Sequence, residues 1–166
     1  MKIPFDLSAY EQRVRTGGCF VCNARDGVAG FEHEIVYDDG EHLAFLARWP
    51  TMRGYVLVCP RRHVEHNFRD LDRNAYLRLQ DVVYRVASAV ESVVPSERTY
   101  ALSLGSQQGN SHLHWHIAPL PPGTPYDQQQ YHALMQEYGV IGQTPAEAAA
   151  LATQLRQALA MKRPPN

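Results

Sequence analysis

The sequence predicts an α+β fold in which an antiparallel sheet packs against one long helix. Three observations predict it: short β-rich segments separated by turn residues, one long stretch with the helical period, and the absence of internal repeats or heptads. With 166 residues, the chain can bury a core without disulfides, so we expect a single domain over residues 1–166.

The N-terminal part predicts a short helix and then a β-hairpin. Residues 8–11 have the form of a capping box, in which Ser8 caps a helix that Gly17 and Gly18 end. A loop follows. Residues 34–46 contain two β-rich runs on either side of the turn Asp39-Gly40, which is typical of a hairpin.

The middle of the chain predicts a central strand and the long helix. Tyr55–Cys59 is nearly all apolar and is ended by Pro60, which indicates a strand buried on both faces. From Asp70 to Val94 the apolar residues recur every three and four positions, and Pro95 ends this amphipathic helix.

Two more strands and a tail helix complete the order of elements. Residues 99–104 and 113–118 read as strands on either side of a polar loop over residues 105–111. Residues 144–147 give a second capping box with Pro145 at the first helical position, which predicts a C-terminal helix to about Met161.

Composition excludes several classes of function. The net charge of −1 predicts no general attraction to nucleic acid or to an anionic membrane, and no apolar run approaches the roughly 20 residues of a membrane helix. The N-terminus lacks the features of a signal peptide, so we expect a cytoplasmic protein with a small-molecule ligand. Three cysteines, an odd number, favour metal or redox chemistry over disulfides.

The segment His112-Leu113-His114-Trp115-His116 carries the chemistry. On a strand these three imidazoles project from one face while Leu113 and Trp115 pack on the other. The residues alone leave three interpretations open: a surface histidine ladder, a metal site, and nucleophilic catalysis on phosphorus in which one imidazole attacks and its neighbours bind phosphoryl oxygens.

Residues His112 to Ala118 resemble the signature of the histidine triad (HIT) family, three histidines alternating with apolar residues. The strand series around Val36-Tyr37, Leu43–Leu46 and Gly54–Val64 is also similar. The resemblance covers about residues 19–120 and leaves 121–166 as a divergent C-terminal extension. It implies a half-barrel HIT-like fold with a C-terminal helical tail, and hydrolysis or transfer at the α-phosphate of a nucleotide conjugate.

By this resemblance, His114 is the nucleophile that forms a nucleotidyl-histidine. A neutral imidazole can attack phosphorus if its other nitrogen donates to a fixed acceptor. The candidates that meet the phosphoryl charge are His112, His116, Ser106 and Gln108, which lies four residues before the first triad histidine. A solvated loop residue is the alternative interpretation of Gln108.

The spacing of Cys19 and Cys22 is that of a zinc knuckle, although a redox pair would look the same. Similarity to the zinc-containing, Hint-like and diadenosine polyphosphate hydrolase-like branch adds His63 and His112 as ligands, which makes a closed, structural zinc site. His33, His42 and His66 are competing nitrogen donors for the metal, and the favoured interpretation of all three is that they are ordinary surface histidines.

Several positions depart from the family pattern. Ala47 stands where Asn or Asp usually binds the ribose, and Tyr55 follows Gly54 where a histidine is common. The loop from Leu104 to His112 is a few residues shorter than is usual in the family. A group of four arginines without an acidic neighbour, Arg48, Arg53, Arg61 and Arg62, either supplies charge for a polyphosphate or forms a solvated face.

The leading functional hypothesis is therefore a nucleotide hydrolase or transferase acting on dinucleoside polyphosphates or nucleoside phosphoramidates, with a phosphorylase as a close variant. A non-catalytic nucleotide- or protein-binding protein is the second hypothesis, and an enzyme for a non-nucleotide phosphorylated substrate is the third. The resemblance also implies a homodimer formed through the long helix and an extended sheet.

Overall fold

A five-stranded antiparallel sheet organises the computed structural model, which describes residues 2–161. The strands in this range are β1 (Lys2–Ile3), β2 (Ile35–Asp38), β3 (His42–Leu46), β4 (Val56–Pro60), β5 (Arg98–Ser103), β6 (Trp115–Leu120) and β7 (Val140–Ile141). Their order in the main sheet is β2-β3-β4-β6-β5, and β1 pairs with β7 in a separate small sheet. The central position predicted for the Tyr55–Cys59 segment is therefore confirmed.

The helices are α1 (Leu7–Thr16), α2 (Phe20–Arg25), α3 (Arg73–Val93), α4 (Tyr131–Leu134) and α5 (Pro145–Met161), with single 3-10 turns at Tyr126–Gln128 and Gln136–Tyr138. The long helix and the C-terminal helix were both predicted. None of the helices within residues 2–161 combines the length and the apolar character that spanning a membrane requires.

The predicted hairpin of β2 and β3 is confirmed, and Asp39 shapes its turn. The Asp39 carboxylate accepts hydrogen bonds from the backbone N–H groups of Glu41 at 2.9 Å and His42 at 2.7 Å. Gly40 has φ +87°, a conformation that glycine adopts without a steric penalty. Local turn chemistry thus fixes the register of the hairpin.

The two faces of the sheet bury different clusters. One face packs against α3 and α5, and its core includes Val56, Val58, Leu113 and Ile117. The opposite face packs against α2 and α4, with Phe45, Leu57 and Cys59 among its buried residues. Because side chains alternate along a strand, this division decides which residues of β4 and β6 face the candidate site.

Two local predictions near the N-terminus are wrong. Asp6, and not Ser8, caps α1, since its carboxylate accepts from the backbone N–H of Ala9 at 2.9 Å. The segment after Gly18 is the short helix α2, whereas the sequence suggested a loop. Cys19 caps that helix, and its Sγ accepts from the backbone N–H of Cys22 at 3.4 Å.

The segment after residue 120 contributes to the core. Leu151, Leu155 and Leu159 of α5 are buried against α3 and the sheet. The predicted capping box is present, because the Thr144 hydroxyl accepts from the backbone N–H of Glu147 at 3.2 Å while the Glu147 carboxylate accepts from the Thr144 N–H at 2.8 Å.

Candidate active site and metal centre

Of the three histidines only His116 lies in β6, which begins at Trp115 and not at the predicted residue 113, and His112 and His114 lie in the segment just before it. Leu113 packs with the core under α3, so its neighbours His112 and His114 turn to the other side. The ring centroids of His114 and His116 are 4.7 Å apart, and the Phe20 ring meets His114 edge-on at 5.4 Å. The alternation predicted from the sequence is thus present.

His114 is held in one tautomer. Its Nδ1 lies 2.6 Å from the backbone oxygen of His112, and a carbonyl oxygen can only accept, so Nδ1 carries the hydrogen. Burial lowers the pKa of the ring below its usual value, and only 4% of the residue is exposed. His114 lines a cavity of about 550 Å³, and its neutral imidazole has a lone pair on Nε2.

His116 contacts Tyr55, a residue that the sequence analysis treated as a departure from the family pattern. The Tyr55 hydroxyl lies 3.0 Å from Nδ1 of His116, and burial raises the pKa of Tyr55. Burial, and then the neighbouring His114, lowers the pKa of His116 to about 3. Its Nε2 is buried and has no hydrogen-bond partner among residues 2–161. The pairing of β4 with β6, which brings the two residues together, is not visible in either segment alone.

A cavity of about 550 Å³ lies in front of His114. The predicted loop residues Ser106 and Gln108 line it, as does Ala47. The Ser106 hydroxyl accepts from the backbone N–H of Gln108 at 3.1 Å, so the loop turns back on itself at the cavity wall. The structure therefore brings Ser106, Gln108, His114 and His116 to one cavity. His112, also a candidate for binding phosphoryl oxygens, does not line this cavity, because its ring lies between Cys19 and the Pro60 carbonyl oxygen.

The arginines that line the cavity are not the group of four that the sequence suggested. Of the four grouped arginines only Arg48 lines the cavity, and Arg61 forms an ion pair with Asp38 at 2.6 Å. Sequence reasoning missed Arg13 and Arg15, which reach the cavity from α1. Nothing in the local sequence of α1 indicates this, because the helix is brought to the cavity by tertiary packing.

The predicted metal ligands lie together. Cys19, Cys22, His63 and His112 each offer a ligand atom, and these atoms lie within 4.8 Å of one another, so the group could hold a metal ion. The Sγ of Cys19 is 3.3 Å from Nδ1 of His112, and the Sγ of Cys22 is 3.4 Å from Nδ1 of His63.

The contacts around this group suit a metal. His112 and His63 both turn Nδ1 towards the thiols. Nε2 of His112 lies 2.9 Å from the Pro60 carbonyl oxygen, and Nε2 of His63 lies 3.3 Å from the Glu65 carboxylate. Such outer acceptors fix the tautomer that a metal needs. Burial, followed by the neighbouring Cys19, raises the pKa of Cys22 to about 11, so this thiol keeps its proton unless a cation displaces it.

His33, His42 and His66 were the competing nitrogen donors, and the expectation that they are ordinary surface histidines is wrong for two of them. His42 is 6% exposed and its Nδ1 lies 3.2 Å from the Asp39 carboxylate. His33 is half-buried, lies 4.7 Å from the Phe45 ring and lines the cavity. His66 contacts Arg69. None of these three residues belongs to the metal-binding group.

Comparison with known proteins agrees with this arrangement. A family model described as the HIT domain matches residues 30–122. An uncharacterised HIT-like protein of Saccharolobus solfataricus is 32% identical over 105 residues, 61% of this chain and 73% of that protein. A bis(5'-adenosyl)-triphosphatase of Dictyostelium discoideum is 31% identical over 91 residues, 53% of this chain and 60% of the enzyme. Less than two thirds of that enzyme is thus represented.

Solved structures share the fold. A hypothetical histidine triad nucleotide-binding protein of Sulfolobus tokodaii superposes with a TM-score of 0.69 at 23% identity, covering 86% of this chain and 93% of that protein. A zinc-bound histidine triad family protein of Mycobacterium smegmatis gives a TM-score of 0.67 at 22% identity, covering 87% and 95%. At this identity the likeness concerns the fold alone.

Proposed function

The chain belongs to the HIT domain family, and on this premise we propose that it cleaves a nucleotide conjugate at its α-phosphate through a covalent nucleotidyl-histidine on His114. One observation carries the proposal. The His112 carbonyl holds the hydrogen of His114 on Nδ1, which leaves a lone pair on Nε2 of a ring that lines a cavity of about 550 Å³. A neutral imidazole in this state needs no base before it attacks phosphorus.

The reaction has two steps. In the first, Nε2 of His114 attacks the α-phosphorus, a P–N bond forms, and the bond to the leaving group breaks with its electron pair on that group. A phosphate leaving group departs as the anion, and an amine leaving group takes up one proton from solvent. In the second, water attacks the same phosphorus, the P–N bond breaks, one proton passes to solvent, and neutral His114 returns with a nucleoside monophosphate. Ser106, Gln108 and His116, which line the cavity, meet the charge on the phosphoryl oxygens.

Dinucleoside polyphosphates and nucleoside phosphoramidates are the proposed substrates. The name of the Dictyostelium relative, a bis(5'-adenosyl)-triphosphatase, supports the first class. With phosphate in place of water in the second step the same site would act as a phosphorylase, and a dependence of turnover on phosphate distinguishes the two.

The proposed cofactor is one structural zinc ion held by Cys19, Cys22, His63 and His112. Two thiols and two imidazoles are the donor set of closed tetrahedral zinc sites, and the zinc-bound Mycobacterium smegmatis protein supports this choice. Zinc would supply no reaction step there. The four residues would connect α2 to the segment that carries His114 and hold it in place.

The test is a search for the covalent intermediate. Wild-type protein is mixed with diadenosine triphosphate and with adenosine phosphoramidate, quenched at alkaline pH, and examined by mass spectrometry for an adenylyl group on a His114 peptide. His114→Ala should show no adduct and a turnover lower by roughly 10³-fold or more. His66→Ala, which removes a histidine outside this cavity, is the control and should keep both.

A non-catalytic binding protein is the second candidate, and Ala47 favours it, because this residue lines the cavity without a polar side chain. Folded, metal-loaded wild type that binds the nucleotides but yields neither adduct nor turnover would support this candidate and contradict the enzyme proposal.

A further inference from the structure

We propose that Tyr55 is a positioning residue for His116, whose hydroxyl donates to Nδ1 and thereby places the ring hydrogen on Nε2, beside His114. The inference deepens the proposed function and rests on it for its catalytic consequence. The tautomer itself is a property of the free protein.

The backbone brings Tyr55 to this position. Residues Val56 and Leu57 of β4 pair with Ile117 and His116 of β6, so Tyr55 reaches His116 diagonally across the sheet. Its ring meets the imidazole edge-on, with centroids 5.8 Å apart and planes at 86°. Gly54 before it has φ +83°, and a Cβ there would lie 2.7 Å from Cγ2 of Val94, so the turn into Tyr55 requires glycine.

Hydrogen-bond accounting gives the direction of the contact. Tyr55 is 8% exposed, and within residues 2–161 its hydroxyl has no partner other than Nδ1 of His116. Either direction leaves one donor and one acceptor unpaired, so their strengths decide. If the hydroxyl donates, the unpaired groups are the N–H at Nε2 of His116 and the phenol oxygen, which is a weak acceptor because its lone pairs are delocalised into the ring. If Nδ1 donated instead, the phenol hydrogen, a strong donor, and the Nε2 lone pair, a strong acceptor, would both lack partners. Donation by Tyr55 pairs the stronger donor with the stronger acceptor and is the favoured arrangement.

His114 and His116 thus have opposite tautomers, because one contacts a hydrogen-bond acceptor and the other a donor. A carbonyl oxygen, which accepts, keeps the hydrogen of His114 on Nδ1 and frees the Nε2 lone pair. A hydroxyl, which donates, keeps the hydrogen of His116 on Nε2. With ring centroids 4.7 Å apart, one histidine offers the nucleophile and the other an N–H donor to the same phosphoryl group.

The unpaired Nε2 of His116 is consistent with this role. Nε2 is buried and has no partner among the described residues, while the ring that carries it lines the cavity. A phosphoryl oxygen seated against His114 would supply the missing acceptor, so the donor is paired only when substrate is bound. An interaction gained in this way contributes to the chemical step more than to ground-state binding if it strengthens as the phosphoryl charge develops.

The experiment compares Tyr55→Phe with wild type by nitrogen-15 NMR of the histidine side chains. In wild type, His116 should be the Nε2–H tautomer and His114 the Nδ1–H tautomer. Tyr55→Phe keeps the aromatic ring and removes the donor, so His116 should shift towards a mixture of tautomers while His114 is unchanged. We expect kcat to fall roughly 10-fold and KM to change less than about 2-fold.

Tyr37→Phe is the matched control, because the Tyr37 hydroxyl bonds Asp39 and Arg85 away from the cavity. It should leave both tautomers and kcat unchanged. A wild-type His116 with its hydrogen on Nδ1, or a Tyr55→Phe protein with unaltered tautomer and unaltered kcat, would overturn the proposal. If wild type shows the expected tautomers and Tyr55→Phe loses them, but no substrate is turned over, the positioning role stands and the proposed reaction fails.

Discussion

At the scale of individual residues, the tautomers of His114 and His116 are each set by a single neighbouring atom. The sequence predicts that His114 needs a fixed acceptor on one nitrogen, and the structure supplies it as the carbonyl oxygen of His112, two residues earlier in the chain. For His116 the partner is Tyr55, which is 61 residues away along the chain. The first contact is local to the segment just before β6, whereas the second depends on the pairing of β4 with β6.

Cys22 belongs to the same scale, and its removal tests the metal site. Cys22→Ala removes one of the four proposed zinc ligands. The variant should bind no zinc and should unfold at a lower temperature than wild type. Metal content by mass spectrometry and thermal unfolding, each with and without a chelator, measure this.

Cys59→Ala is the matched cysteine control for that experiment. Cys59 is fully buried in β4 and belongs to the core, outside the metal-binding group. The Cys59→Ala variant should keep a full equivalent of metal. Its free energy of unfolding should fall by roughly 1 kcal/mol, because the substitution leaves a small cavity in the core. A Cys22→Ala protein that keeps a full equivalent of zinc would refute the site.

At the scale of elements, α1 is in direct contact with the loop over residues 105–110. The Tyr10 hydroxyl accepts from the Asn110 side chain at 2.8 Å, and a Cβ at Gly109 would lie 2.2 Å from Cγ1 of Val14. Arg15 donates to the side-chain oxygen of Gln108 at 3.3 Å. The helix, which precedes the matched HIT domain region, thus packs directly on the loop that closes the cavity.

Arg15→Gln tests this contribution of α1. Removing the charge at the cavity wall should raise KM for a dinucleoside polyphosphate roughly 10-fold while kcat changes little, because the lost interaction is with the charged substrate. The thermal midpoint should hold, since the Arg15 ion pair with Glu11 is more than half exposed on both sides. Arg53→Gln, at an exposed arginine that does not line the cavity, should leave KM unchanged. Equal KM values for both variants would exclude Arg15 from substrate binding.

The C-terminal helix gives a prediction about stability. Thr144→Ala removes the hydroxyl that caps α5, and we expect a loss of about 1 kcal/mol in the free energy of unfolding, measured with urea. The control is Thr153→Ala on the exposed side of α5, where the hydroxyl donates to the backbone oxygen of Ala149 and accepts from the exposed Arg156 side chain. It should change the free energy of unfolding by less than about 0.5 kcal/mol. Equal effects would show that the cap does not hold α5 on the core.

The whole molecule raises the question of assembly. The homodimer implied by the family resemblance stays a prediction, and α3 offers a surface for it, since Leu77 and Tyr84 are 46% and 73% exposed. Light scattering coupled to gel filtration should give twice the mass of the chain, and Tyr84→Arg should shift the protein towards the monomer because a charge would be buried at the contact. Tyr126→Arg, at an exposed tyrosine outside α3, should leave the mass unchanged. A monomeric wild type would contradict the prediction.

Local sequence patterns predicted the face on which the histidines lie, the hairpin, the central strand, α3 and α5. Alternation on strands, the three-to-four spacing on helices, turn residues and capping boxes are all local properties. These patterns missed α2, where a loop was expected. The family resemblance implied His63 and His112 as metal ligands, and the structure brings both together with Cys19 and Cys22 in a group that could hold a metal ion. The role of His114 also came from the resemblance and stays a prediction.

Tertiary structure alone decided what surrounds the triad. Only the folded chain shows that Tyr55 contacts His116, that Arg13 and Arg15 enter the cavity in place of three of the four grouped arginines, and that His33 lines it. The physical reason is that these contacts join residues far apart in sequence. Strand pairing and helix docking set them, and a local pattern carries no information about which distant segment it will meet.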